Sequence, residues 1–110
     1  MGFAYDCDIP NTFSQFKLGR LTLKNRILMA PLMHQAADAD GTPNDEMAAY
    51  YARRARGCVG MIITEATFFN DEFGCVGYLS QPGIATAKHV AGWKKMVEAV
   101  TPKALRSSCN

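Results

Sequence analysis

Two short apolar runs without polar alternation constrain this 110-residue chain more than any other feature. The first extends from Arg26 to Pro31 and the second from Val59 to Ile63. A continuous apolar run bounded by turn signals is typical of a strand covered on both faces, as strands are in parallel sheets. Because a helical pattern separates the two runs, the sequence predicts a β-α-β unit of an α/β fold.

The first helix is predicted between the two runs, after a loop at residues 34–42. Thr42 is suited to cap it, Pro43 fits its first position, and Asp45 places an acid in its first turn. Met47, Tyr51 and Ala55 recur every four residues and are predicted to form its buried stripe. Gly57 is predicted to end the helix.

A second amphipathic helix is predicted from about Thr86. Its apolar residues recur every three to four positions, at Val90, Trp93, Val97 and Val100. We expect Trp93 to serve as core packing rather than as a stacking platform. The long connection before this helix, residues 68–83, is predicted to contain a small hairpin around Phe73 and Gly74.

A β-hairpin is predicted ahead of the first apolar run. Its strands are Phe16–Leu18 and Leu21–Leu23, separated by the dipeptide Gly19-Arg20. A two-residue turn that begins with glycine favours a hairpin, because glycine adopts the positive φ that such turns require. The predicted order is therefore hairpin, strand, helix, strand, helix.

Ligands of parallel α/β folds gather at the carboxyl ends of the strands. Two segments qualify in this chain, Ala30–His34 and Thr64–Thr67. The pattern by itself leaves open whether the sheet is a closed barrel or an open sheet, and it names no cofactor.

Composition excludes several functional classes. The net charge is +2, and the one basic group, Arg53, Arg54 and Arg56, is typical of a solvated helix end rather than of a nucleic-acid surface. No apolar run has the length of a membrane span, so we expect a cytoplasmic chain. The four cysteines show no metal-ligand spacing, so no metal site is assigned. Without a secretory signal, reduced thiols are predicted, with two structural disulfides as the less favoured alternative.

Four segments resemble the old yellow enzyme family, also called NADH:flavin oxidoreductases. They are Leu18–Ile27, Met29–Leu32, Tyr50–Ala55 and Gly60–Ala66, which occur in the family's order and cover roughly Phe13 to Val100. The resemblance implies the N-terminal portion of a (β/α)8 TIM barrel, with the hairpin at its bottom and the two apolar runs as barrel strands one and two.

The resemblance also implies a cofactor, FMN, bound at the carboxyl ends of the strands. The backbone of Ala30, Pro31, Leu32 and Met33 would lie against the flavin ring, and Ala66 would meet the edge of its pyrimidine portion. The intact family member would take reducing equivalents from NAD(P)H and reduce activated C=C bonds, such as those of enones. Main-chain amides suit this site because they are fixed donors for flavin carbonyls.

Three residues need separate interpretation. Met33 stands where many family members have Thr or Cys, and its thioether is only a weak acceptor. Either the potential of the flavin is set differently, or a neighbour such as His34 compensates. The preferred interpretation of His34 is a loop histidine pointing to solvent. Glu65 is interpreted as a functional carboxylate or, at least as readily, as a group held by an interior hydrogen bond.

No catalytic residue is assigned to this chain. The family's substrate-binding and proton-donating residues lie later than the two predicted strands, and a complete barrel needs at least about 200 residues. We therefore expect this chain by itself to be inactive. The alternatives are a non-catalytic interaction module and another FMN-dependent TIM-barrel oxidoreductase.

The predicted organisation has three parts: an N-terminal extension at 1–12, the barrel portion at 13–100, and an atypical tail at 101–110. Under permitted codons, a one-base change of reading frame converts the tail into a family-like continuation ending in glutamine. The sequence therefore predicts a frameshift at or near Val100.

Overall fold

The computed structural model describes residues 11–70, 72 and 78–101. Along this part of the chain, a hairpin precedes two strands and two helices. The elements are β1 (Phe16–Leu18), β2 (Leu21–Leu23), β3 (Leu28–Met29), α1 (Asp45–Arg56), β4 (Met61–Ile62) and α2 (Ala87–Val100). This confirms the predicted order of elements.

The hairpin has the predicted register. Strands β1 and β2 are antiparallel, and Leu18 pairs with Leu21 across the two-residue turn. Gly19 has a φ of 59°, whereas Arg20 does not have a positive φ. A positive φ at the first central position alone is the pattern of a type II′ turn, which matches the twist of a hairpin.

The two apolar runs form a parallel pair, as predicted. Leu28 lies opposite Met61, and Met29 lies opposite Ile62. Both strands are shorter than the runs, and only one of their faces is covered. Met29 and Ile62 pack against the core, whereas Leu28 on the opposite face is 48% exposed. Among the described residues only the face toward α1 and α2 is covered, so burial on both faces stays a prediction for an intact barrel.

Helix α1 begins two residues later than the sequence predicted. Asn44, not Thr42, is the N-cap, and its side chain accepts a hydrogen bond from the Met47 amide at 3.0 Å. Pro43 precedes the cap instead of occupying the first turn. Asn44 has the extended backbone of a cap, and its side-chain amide also donates to the Ala36 carbonyl, which ties the cap to the preceding loop. Gly57 ends the helix as predicted, and its amide donates to the carbonyls of residues 53 and 54.

Helix α2 has the predicted start but a different buried face. Thr86 caps it, and the side chain of His89 completes a capping box. Val90 and Val97 of the predicted stripe are exposed, whereas His89 and Met96 are buried. The stripe prediction is thus partly wrong, because the face that meets α1 is rotated toward these two residues.

The core lies between the two helices and the parallel pair. Met47, Tyr51 and Met96 are buried at its centre, and Trp93 packs against them as predicted. The stripe of α1 is confirmed, since Met47, Tyr51 and Ala55 are all buried.

Four further expectations concern cysteines, a second hairpin, membranes and metals. Cys58 is disulfide-bonded, so the expectation of reduced thiols is wrong at this residue, and the other three cysteines lie outside the described residues. The hairpin expected around Phe73 and Gly74 also lies outside them. Neither helix in the described part of the chain combines the length and the apolar composition that a membrane span requires. The same part contains no group of metal-ligating side chains.

Candidate functional site

The carboxyl ends of β3 and β4 lie at one edge of the parallel pair, which brings the two predicted site segments together. Ala30, Pro31 and Leu32 are exposed directly after β3, and the side chain of Met33 is half-buried. Ala66 is exposed after β4. The five residues that the resemblance assigns to the flavin therefore lie on two neighbouring strand ends, and four of them are accessible.

Main-chain pairing between the strands stops just before this edge. The carbonyls of Ile27 and Met29 accept from β4, the last bond being from the Ile63 amide to Met29 at 3.1 Å. The next residue in this alternating series, beyond the end of β3, is Pro31, which has no N–H to donate. Residues 30–33 make no main-chain hydrogen bond within the part of the chain that the structure describes, and the missing N–H of Pro31 accounts for one of these open positions.

Beyond the last ladder bond, a buried carboxylate connects the two strand ends. Glu65 is 2% exposed, and its Oε2 accepts from the His34 main-chain N–H at 3.0 Å. Its Oε1 accepts from the Tyr51 hydroxyl at 3.1 Å, and that hydroxyl accepts from the Glu65 N–H at 3.3 Å. This agrees with the interpretation of Glu65 as a group held by interior hydrogen bonds.

Tyr51 has a perturbed phenol in this network. Burial, which disfavours the charged phenolate, raises the pKa of Tyr51 to about 12 from an ordinary value of 10.0. The negative charge of the neighbouring Glu65 acts in the same direction. The hydroxyl therefore keeps its proton at neutral pH and can serve as the donor that Glu65 requires.

The raised pKa predicts an alkaline loss of stability. Because the folded chain holds the Tyr51 proton more tightly than the unfolded chain, the free energy of unfolding is expected to fall between about pH 10 and pH 12, by about 1–3 kcal/mol. Urea denaturation across this range measures the loss. Tyr51→Phe is expected to remove this component, whereas Tyr78→Phe at an exposed position is expected to keep it. Equal slopes in the chain with and without Tyr51→Phe would contradict the assignment.

His34 does not point to solvent, so the preferred interpretation of this residue is wrong. Its ring packs edge-on against Tyr50, with 4.2 Å between ring centroids, and lies 6.1 Å from the Tyr51 ring. Its Nε2 is buried and has no hydrogen-bond partner among the residues that the structure describes. The ring lines a cavity of about 90 Å³ together with both tyrosines and Glu65.

His89, which is buried near the start of α2, contacts the loop before α1 and the segment that leads into α2. His89 Nδ1 accepts from the amides of Ala85 and Thr86, so Nε2 carries the proton and donates to the Asp40 carbonyl at 2.8 Å. The Trp93 indole donates to the Gly83 carbonyl at 2.8 Å. The sequence reasoning missed His89; the available signal was its position three residues after the capping Thr86.

An exposed ion pair adds to this second cluster. Lys88 Nζ lies 2.6 Å from Asp40 Oδ2 and both side chains are largely in solvent. The hydrogen bond from Lys88 holds the pKa of the Asp40 carboxyl well below its usual range. Since exposed pairs contribute little to stability, the buried His89 contacts are the stronger connection.

Comparison with known proteins assigns the chain to a class. The family model described as the NADH:flavin oxidoreductase / NADH oxidase family matches residues 11–104. The chain belongs to this family, as the resemblance predicted.

Curated relatives are similar over most of this chain but extend well beyond it. Chanoclavine-I aldehyde reductase of Penicillium roqueforti is 38% identical over 91 residues, which are 83% of this chain and 24% of that protein. For 12-oxophytodienoate reductase 2 of Arabidopsis thaliana the identity is 38% over 88 residues, 80% of this chain and 22% of the relative. The chain thus spans about a quarter of these relatives.

Solved structures confirm the fold class. The structure of morphinone reductase is similar with a TM-score of 0.75 and 39% identity, over 88% of this chain and 24% of that chain. Old Yellow Enzyme from a Pichia species also gives 0.75, with 40% identity over 82% and 23% of the two chains. These neighbours are TIM barrels, and this chain corresponds to a short N-terminal part of them.

Proposed function

We propose that this chain supplies part of the flavin site of an FMN-dependent NAD(P)H oxidoreductase of the ene-reductase type. The observation that carries the proposal is the family match combined with an open edge at the carboxyl ends of β3 and β4. Carboxyl ends of barrel strands are where TIM-barrel enzymes hold their ligands.

The residues at this edge fit a flavin ring. A planar ring with carbonyl and N–H groups at its rim needs uncommitted main-chain partners and an apolar surface. Residues 30–33 have main-chain groups that make no hydrogen bond among the described residues, and Leu32 offers an apolar side chain that is 61% exposed. Ala30, Pro31, Leu32 and Met33 would lie against the ring, and Ala66 would meet the edge of its pyrimidine portion.

The proposed reaction is the reduction of activated C=C bonds, such as those of α,β-unsaturated carbonyl compounds. When bound, FMN supplies the hydride chemistry, with NAD(P)H as the reductant. The residues of this chain would bind and orient the ring and would exclude water from the face that they cover. We propose no catalytic residue in this chain. The cytoplasmic location expected from the sequence stays a prediction.

The proposal is tested by transplanting residues 13–100 into the barrel of a solved relative. The segment replaces its counterpart in morphinone reductase, and the purified chimera is desalted and examined by flavin absorbance and by NAD(P)H-dependent reduction of an enone. We expect bound FMN and turnover, because the transplanted strand ends would present their open backbone to the ring. The 110-residue chain alone is expected to hold no stoichiometric FMN, since it supplies only two strand ends.

Other outcomes of this experiment separate the alternatives. A chimera that folds, as judged by circular dichroism, but holds no FMN would contradict the proposal and favour a non-catalytic interaction module. Bound FMN without reduction of enones would support the flavin site but contradict its placement for the proposed reaction, since the substrate-binding residues of the chimera come from the host. As the control for assembly, the unsubstituted host is purified and measured in parallel.

A further inference from the structure

The segment after β3 is fixed at two points and open between them. Its first point is the bond from the Ile63 amide to the Met29 carbonyl at 3.1 Å, and Pro31 prevents the ladder from continuing. Its second point is the His34 amide, which donates to Glu65 Oε2 at 3.0 Å. Ala30, Pro31 and Leu32 between these points are exposed, so packing does not fix their positions.

The second point is rigid because Glu65 is itself held on several sides. The side chain is almost fully buried, and the Tyr51 hydroxyl bonds to both its carboxylate and its main-chain N–H, at 3.1 and 3.3 Å. Tyr51 is 1% exposed in the core face of α1. The position of the Glu65 carboxylate is therefore set by α1 and by the end of β4. Because the His34 amide bonds to this carboxylate, the end of the 30–33 segment is held in place as well.

We infer that Glu65 is a positioning residue that sets the path of residues 30–33 and thereby the backbone surface offered to the flavin. The link to the flavin rests on the proposed function, whereas the link between Glu65 and His34 concerns this chain alone. The groups of a binding site work only when they are held within about 0.5 Å of the productive geometry. The hydrogen bonds of the buried Glu65 side chain would hold the end of the 30–33 segment in this way.

Packing of the His34 ring on Tyr50 is the competing explanation for an ordered segment. The ring centroids are 4.2 Å apart, so this contact could hold residue 34 without the carboxylate. The two explanations differ in what removal of the carboxylate does to the His34 amide.

The first experiment measures amide hydrogen exchange in the 110-residue chain and in variants. Glu65→Ala is expected to reduce the protection of the His34 amide at least about tenfold, because this part-buried N–H loses its acceptor. The Ile63 amide should change much less. Glu65→Gln is expected to restore most of the protection, since its amide oxygen can accept from His34 while its NH₂ group donates to Tyr51. Tyr51→Phe should give an intermediate loss.

Glu46→Gln is the matched control, because Glu46 is an exposed carboxylate that lines the same cavity. It is expected to leave the His34 amide unchanged. A His34 amide that is unprotected in the unsubstituted chain, or equally protected in Glu65→Ala, would overturn the inference. The second result would assign the order of the segment to the ring of His34.

The second experiment measures FMN affinity and reduction potential in the chimera described above. Glu65→Ala is expected to weaken FMN binding at least about tenfold and to shift the potential, with recovery in Glu65→Gln. Unchanged FMN binding together with lost protection of the His34 amide would refute the link to the flavin. The hydrogen bond between Glu65 and His34 would still be supported. Absence of FMN from the unsubstituted chimera would instead contradict the proposed function, while amide exchange in the chain still decides the role of Glu65.

Discussion

Replacing Gly60 with alanine is expected to lower the free energy of unfolding by about 3 kcal/mol, at the upper end for overpacking. A Cβ on this residue would lie 2.6 Å from the Asn25 carbonyl oxygen and 3.2 Å from its carbonyl carbon, and closer still to Asn25 Oδ1. Main-chain atoms cannot move aside as the end of a flexible side chain can. The start of β4 would have to shift away from β3.

Asn25 makes this shift costly because its side chain forms hydrogen bonds with the residues just before both strands. It is 1% exposed, donates to the Cys58 carbonyl at 2.6 Å and accepts from the Ile27 amide at 3.0 Å. The Gly60 amide bonds to the Ile27 carbonyl at 2.9 Å, so displacement of β4 also breaks the first bond of the parallel pair.

Urea denaturation followed by circular dichroism measures the effect of Gly60→Ala. Gly19→Ala is the matched control: its φ is 59°, but no atom lies within 4 Å of the added Cβ. It should therefore cost only the local strain of a left-handed backbone, about 1–2 kcal/mol. If Gly60→Ala proves no more destabilising than Gly19→Ala, the close approach to Asn25 is not a constraint on the fold.

Replacing His89 with leucine is expected to cost about 3 kcal/mol, although the volume of the side chain is nearly kept. Leucine leaves the amides of Ala85 and Thr86 and the carbonyl of Asp40 without their partner. These contacts are part-buried, so each unpaired group is expected to cost about 1 kcal/mol, the low end of the range for a buried one. The loop before α1 would also lose its hydrogen bond from His89, while the exposed Lys88–Asp40 pair would still join it to α2.

The same denaturation experiment tests this prediction, with the neighbouring Val90→Ala as the control. Val90 lies on the same helix and is 53% exposed, so its truncation is expected to change the free energy of unfolding by about 0.5 kcal/mol or less. A cost for His89→Leu as small as that for Val90→Ala would show that water replaces the lost partners.

Local signals in the sequence were sufficient for the elements of the fold. The Gly19-Arg20 turn predicted the hairpin, and the two apolar runs predicted the parallel pair. Each of these signals acts between neighbours along the chain, so its physical basis is visible in the sequence. The predicted N-cap of α1 was wrong because Thr42 and Asn44 are both good capping residues. The choice between them depended on the contact of Asn44 with Ala36, eight residues earlier.

The site was predicted only in part. The resemblance named residues 30–33 and Ala66, and the structure places both segments at one edge, while their contact with FMN stays a prediction. The network of Glu65, Tyr51 and His34 was not predicted as a unit. Its bonds join positions 14 and 31 residues apart, and residue type alone does not reveal such partners.

The sequence by itself determined the alternation of strands and helices, the hairpin and the family, because these depend on local backbone preferences and on ordered motifs. Only the tertiary structure decided which face of α2 is buried, where the β3–β4 ladder stops, and what holds the open segment after it. The reason is that burial and hydrogen bonding of His34, Glu65 and His89 arise from groups distant in the chain, which come together only when the helices pack on the parallel pair.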